Sequence, residues 1–187
     1  LAGSARGAPD QRSPHDEGRL PPPGSPRSKL LRSGHNSSDT PTPAAERPEP
    51  PIFLKAHTSV VGPDDQIALP SWSNKVAFEG ELAIVIKSLA KDVSVEDAPQ
   101  MILGSTIANA ATARDAMTGG PWSRGKSFDS ACPLGPWITV DPALDVTNLP
   151  LRSYLNGEIA QDSSTANMIW NPFELVSYGS RQMTLLP

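Results

Sequence analysis

Glu79 and Glu81 stand two residues apart in Val76–Lys87, a stretch whose polarity alternates like that of a strand. On that reading Val76, Phe78, Leu82, Ile84 and Ile86 share one face with Gly80 among them, and Ala77, Glu79, Glu81, Ala83 and Val85 share the other. Carboxylates at i and i+2 of a strand point the same way, roughly 6.5–7 Å apart at Cα. Like charges so placed on a half-buried face raise each other's pKa unless positive charge sits between them. A hard divalent cation bound through oxygen meets that need. A solvated face that happens to carry two glutamates needs no chemistry at all.

A second pattern misleads. Gly120-Pro121-Trp122-Ser123-Arg124-Gly125-Lys126-Ser127 fits the phosphate-loop spacing G-x-x-x-x-G-K-S. That spacing works when a buried strand precedes it and a helix follows, so that backbone N–H groups cradle phosphate at a helix start. Here Arg114–Thr118 supply no apolar run, and the nine residues after Ser127 include Pro133, Gly135 and Pro136. Pro121 also removes one N–H from the cradle. Nucleotide binding is not expected. Cys132, the sole cysteine, has no neighbouring base in sequence, since His15, His35 and His57 lie far upstream; it reads as a small packed thiol.

The elements that must position these residues are mostly short. Residues 1–28 are rich in Pro, Gly, Ser and Arg and are expected to be a disordered arm. Arg6, Arg12, Arg19, Arg27, Lys29 and Arg32 make this end mildly basic. Lys29–Ser33 is a possible strand, Ile52-Phe53-Leu54 a short buried run, and Asp64–Pro70 a second short strand. Ser94 and Asp97 suggest a capped helix through about Leu103, with Pro99 limiting it. Ser105–Ala113 suits a close-packed strand or turn, Cys132–Pro136 a loop, and Trp137–Val140 a short strand. Asn156-Gly157 between alternating segments predicts a type I′ hairpin. Asn171-Pro172-Phe173-Glu174 predicts a helix start, running to about Gly179–Gln182. Many short strands with one or two small helices indicate a β-rich sandwich or roll.

Composition sets outer bounds. The chain has 187 residues, 21 of them proline, about half before Ile52. A net charge of −4 carries no general nucleic-acid or membrane signal, and no apolar run is long enough for a bilayer. One cysteine rules out an internal disulfide framework and fits a reducing compartment, cytoplasmic or mitochondrial. The chain begins at Leu1 and ends on Thr-Leu-Leu-Pro within an apparent element, so it reads as a fragment.

Taken together and in order, Ile52–Lys55, Glu79-Gly80-Glu81-Leu82-Ala83, Thr112-Ala113-Arg114-Asp115, Arg124-Gly125-Lys126-Ser127-Phe128-Asp129 and Cys132–Pro136 resemble the fumarylacetoacetate hydrolase family, specifically its C-terminal domain, from about Lys29 onward. Asn156-Gly157-Glu158 and Met183-Thr184-Leu185 continue the likeness. The resemblance implies a mixed β-sandwich roll over residues 29–187, incomplete at its C-terminus, and a homodimer acting on a small 1,3-dicarbonyl or 2-oxo acid, with no nucleic-acid or membrane partner. The implied reactions are C–C hydrolysis, decarboxylation or tautomerisation, all passing through a stabilised enolate. It implies Mg²⁺ (or Mn²⁺ or Ca²⁺) held by Glu79 and Glu81, Lys126 as the oxyanion-stabilising lysine, and Arg114 on a substrate carboxylate.

Three positions depart from the family pattern. The third metal ligand falls on Ala110, a glutamine position on Met117, and a water-activating histidine on Thr40. The expected consequence is a weakly held metal. The alternative reading is an impaired, truncated member that keeps a scaffold or dimerisation role; without the family pattern, Lys126 reads as a surface lysine and Arg114 as an internal ion pair with Asp115.

Overall fold

The computed structural model describes residues 29–38, 40, 43 and 46–187, so the expected arm lies outside the described residues. The strands are β1 (Leu30–Ser33), β2 (Ile52–Lys55), β3 (Val60–Val61), β4 (Val76–Ala77), β5 (Gly80–Ile86), β6 (Ile102–Asn109), β7 (Thr112–Ala113), β8 (Cys132–Thr139), β9 (Pro150–Leu155) and β10 (Glu158–Ser164). Two helices join them, the single turn α1 (Ser123–Lys126) and α2 (Pro172–Gln182). The architecture is β-rich and mixed, as the short-strand pattern predicts.

A four-stranded sheet in the order β3-β8-β6-β5 forms the main wall, with β3 parallel to β8 and the other pairs antiparallel. Three two-stranded ladders, β1-β2, β4-β7 and β9-β10, complete it. The Val76–Lys87 strand is real but broken. β4 pairs with β7 and β5 with β6, and Phe78 and Glu79 form the step between them. The step is fixed by hydrogen bonds on both sides. The Ala110 N–H donates to the Glu79 carbonyl at 2.8 Å, and the Gln161 side chain grips Gly80, accepting from its N–H at 3.0 Å and donating to its carbonyl at 2.9 Å. A side chain at Gly80 would collide with Ser153, which is why the grip needs glycine.

Capping and turn chemistry behave as expected. Asn171 accepts from the Phe173 and Glu174 N–H groups while Glu174 accepts from the Asn171 N–H, a reciprocal capping box with Pro172 at the first helical position. Asn156 and Gly157 take φ values of 53° and 86°, the left-handed pair a type I′ turn requires. Other expectations need correction. Asp64–Pro70 forms no strand. Ser94 does cap Asp97, but only a 3₁₀ turn at Ala98–Met101 follows, because Ile102 is already paired in β6. Cys132–Pro136 is not a loop. It begins β8, whose proline-rich half is held by β3 on one side and β6 on the other.

Burial separates two regions. Under α2, Ala90, Ala98, Val176 and Leu185 form an apolar cluster against which Leu31, Ile84, Ile86 and Phe173 pack. Around the glutamates the interior is instead built of Ala108, Ala110, Ala111, Ala113, Ala131 and Cys132, with the buried polar chains of Arg32, Lys55, Thr112 and Lys126 among them. Small residues leave room for long charged ones to reach inward.

Candidate active site

The step between β4 and β5 places both glutamates on one cleft of about 1170 Å³, also lined by Arg32, Arg114, Trp122 and Lys126. Glu79 is held from three directions. Its Oε2 accepts from the Lys126 ammonium at 2.6 Å, and its Oε1 accepts from the Thr112 hydroxyl at 3.0 Å. The Arg114 guanidinium lies 3.8 Å from Oε1.

Lys126 arrives on α1, whose one turn closes with the Lys126 N–H on the Trp122 carbonyl at 3.0 Å. Its ammonium also lies 5.4 Å from the centre of the Phe53 ring, which packs edge-on against Trp122. Burial lowers its pKa, and the Glu79 bond and charge oppose that shift. The turn stops at Ser127, so Gly120–Ser127 lacks the following helix that phosphate binding needs, as expected. Arg114 leads a 3₁₀ turn anchored by its N–H on the Lys75 carbonyl, and its side chain is about half exposed at the cleft. Asp115 does not pair with it. The Asp115 carboxylate accepts from the Ser73 hydroxyl at 2.6 Å and the Asn74 N–H at 2.8 Å, which hold its carboxyl below the usual range.

Glu81 has a different partner, which the sequence reading assigned to a basic arm. Arg32, on β1, is buried, and its guanidinium pairs with the Glu81 carboxylate. Its other terminal nitrogen points at the Cys132 sulfur, 3.9 Å away. Cys132 is buried, and burial pushes its thiol pKa up, as befits a packed and unreactive residue. Lys55, on β2, is buried too and donates to the Ala111 carbonyl at 3.1 Å. Desolvation pushes its pKa down to about 7. Leu30 and Arg32 share a strand face, but alternation alone does not say that this face turns inward or meets a carboxylate.

The departures occupy definite places. Ala110 is fully buried, a methyl group where the family pattern asks for a third carboxylate. Met117 packs its side chain against Gly125. Thr40 is exposed and its carbonyl accepts from the Ser38 hydroxyl; it does not line the cleft.

A divalent ion needs several oxygen donors with room for it between them. Among the described residues no group of three or more His, Cys, Asp or Glu side chains comes together. Both cleft carboxylates are already engaged, Glu79 by Lys126 and Glu81 by Arg32. The donor set does not fit a Mg²⁺-type ion.

The family model described as fumarylacetoacetate (FAA) hydrolase C-terminal matches residues 29–187. The chain belongs to the fumarylacetoacetate hydrolase family. It is 41% identical over 143 residues to the Xenopus laevis protein named oxaloacetate tautomerase fahd2, mitochondrial, covering 74% of this chain and 45% of that one. The crystal structure of a 5-carboxymethyl-2-hydroxymuconate delta-isomerase from Mycobacterium smegmatis superposes with a TM-score of 0.85 at 41% identity, over 90% of this chain and 67% of that one. A 2-hydroxyhepta-2,4-diene-1,7-dioate isomerase from Mycobacterium marinum gives 0.78 at 43% identity, over 86% and 60%. The chain spans about half the length of the curated relatives it matches. Among the described residues no helix is long and apolar enough to cross a membrane.

Proposed function

We propose that residues 29–187 carry an enolate-handling site for a small 2-oxo or 1,3-dicarbonyl acid, with keto–enol isomerisation as the reaction. The observation that supports this reading most directly is the Lys126 ammonium, buried in the cleft and fixed by Glu79 at 2.6 Å, with the Arg114 guanidinium beside the same carboxylate. The names of the relatives, a tautomerase and two isomerases acting on unsaturated or oxo acids, support the same class.

Isomerisation passes the proton of a C–H bond next to the oxo carbon to water in the open cleft, shifts that electron pair into a C=C bond and places negative charge on the oxo oxygen, which is protonated to give the enol; the reverse steps return the keto form. Lys126 donates to that oxygen as its charge develops. Burial lowers the ammonium's pKa, which makes it a stronger hydrogen-bond donor to the developing oxyanion. Arg114, exposed on one side, holds the substrate carboxylate. Glu79 is a positioning residue: it keeps Lys126 protonated and aimed. Members of this family generally depend on a divalent metal, but the donor set here does not fit one.

The test is spectrophotometric. Enol-to-keto conversion of oxaloacetate should be accelerated by the unmodified protein, and Lys126→Ala should slow it about 100-fold or more, the usual cost of losing an oxyanion donor. Equal rates in the two proteins would remove Lys126 from the mechanism. A second reading, a scaffold or homodimerisation partner without turnover, is favoured by one observation, the buried Ala110. Folded protein with no turnover, sedimenting as a dimer, would select it.

A further inference from the structure

We propose that Arg32 is a built-in counter-ion that takes the position of a divalent cation beside Glu81, so that the cleft holds a carboxylate ligand by fixed protein charge and not through a metal.

A buried guanidinium is costly unless a carboxylate faces it, and arginine cannot shed its proton to escape the cost. Arg32 is buried and its facing carboxylate is Glu81. The Arg32 guanidinium lies against the Glu81 carboxylate and is also acted on by the Glu79 charge, so an ion that drew the carboxylates away would strand it. The neighbouring carboxylate is equally engaged, since Glu79 accepts from Lys126 and Thr112. Where a third acidic ligand would be needed, the fully buried Ala110 offers a methyl group, and its backbone is tied to the Glu79 carbonyl at 2.8 Å. A Mg²⁺ or Mn²⁺ ion would have to approach to about 2.1 Å from oxygens that already serve these cations. It would add two positive charges to a cluster that already holds at least three, on Arg32, Lys126 and Arg114 with Lys55 behind them, against two negative.

The same arithmetic says what the cleft does accept. At least one positive charge is left over, and the outermost cation, Arg114, is about half exposed with a planar fork suited to carboxylate. A small carboxylate anion restores neutrality where a cation cannot. Charge recognition of this kind does not depend on whether the site turns substrate over, so the inference goes beyond the isomerase reading.

Two calorimetric measurements test it. Mn²⁺ is titrated into the unmodified protein, Ala110→Asp, and the double variant Arg32→Met with Ala110→Asp. Restoring the third carboxylate alone should leave Mn²⁺ binding undetectable or weak, because Arg32 still holds Glu81. Removing Arg32 as well should tighten binding at least tenfold. Equal affinity in Ala110→Asp and the double variant, or tight binding by the unmodified protein, would overturn the proposal. The second measurement needs no variant. Pyruvate, a monoanion that complexes Mn²⁺ only weakly, should bind the unmodified protein with the same affinity in EDTA as in Mn²⁺. Binding that appears only with Mn²⁺, or no binding in either, would refute it even if the double variant failed to fold. Oxaloacetate turnover enters neither measurement, so loss of the isomerase reading and loss of this one are distinguishable.

Discussion

Glu79 and Glu81 are two residues apart and line one cleft, yet they serve opposite ends. Glu79 faces groups that can change state: a lysine that can lose its proton, a hydroxyl that can rotate and a half-exposed arginine. Glu81 faces a buried arginine that can do none of these. The difference shows how one short stretch of chain can hold a carboxylate with a titratable partner and one with a fixed partner side by side. The chemistry of the partner cation, and not the carboxylate, decides which is which.

The largest expected effect breaks or keeps that contrast directly. Glu81→Gln leaves the buried Arg32 guanidinium without its negative partner, and such losses cost about 3 kcal/mol. Glu79→Gln strands a lysine instead, and Lys126 can respond by deprotonating, so its cost in stability should be nearer 1 kcal/mol while turnover falls. Urea unfolding of both variants measures the pair. Similar losses in the two would mean that the carboxylates are equivalent and the contrast is false.

A second test sits just behind the pair. Lys55 has a folded-state pKa of about 7 against 10.5 for the free side chain, because burial disfavours its charged form. Between those values the unfolded chain binds the extra proton, so stability rises with pH across that window. The penalty is fully present below about pH 7 and is relieved as the pH climbs towards 10.5. One proton corresponds to a slope of about 1.4 kcal/mol per pH unit. Lys55→Met should flatten the slope. An unchanged slope in that variant would show that the buried cation is not the one titrating.

How much of this was legible in the sequence depends on how local the information is. The hairpin at Asn156-Gly157 and the start of α2 at Asn171 are written in a few adjacent residues, and both form as read. β8 was hidden because its prolines look like a loop until β3 and β6 supply partners far away in sequence. The break at Phe78 and Glu79 depends likewise on Gln161, some 80 residues on. At the site, Glu79 stands out by its spacing from Glu81, whereas Arg114 and Lys126 are legible only through the order of the family blocks, since no spacing rule brings them together. Arg32 was missed. In composition it joins the basic end of the chain, and only the pairing of β1 with β2 turns it inward. Buried charge is the hardest feature to read from sequence, because its partner is fixed by tertiary structure alone.

The smallest effect concerns the outermost member of the cluster. Arg114 lies 3.8 Å from Glu79 and is about half exposed, so that pair adds little to stability. Its proposed value lies in the paired N–H groups it offers to a substrate carboxylate, which a lysine cannot reproduce. Arg114→Lys keeps the charge and loses the fork. It should raise KM for oxaloacetate roughly fivefold, about 1 kcal/mol, with kcat and the urea midpoint unchanged. The split between the two constants is the informative part. If kcat fell with KM constant, Arg114 would be acting on the transition state alongside Lys126. If the urea midpoint fell instead, Arg114 would belong with Arg32 as a structural cation, and the division of labour between the two glutamates would be lost.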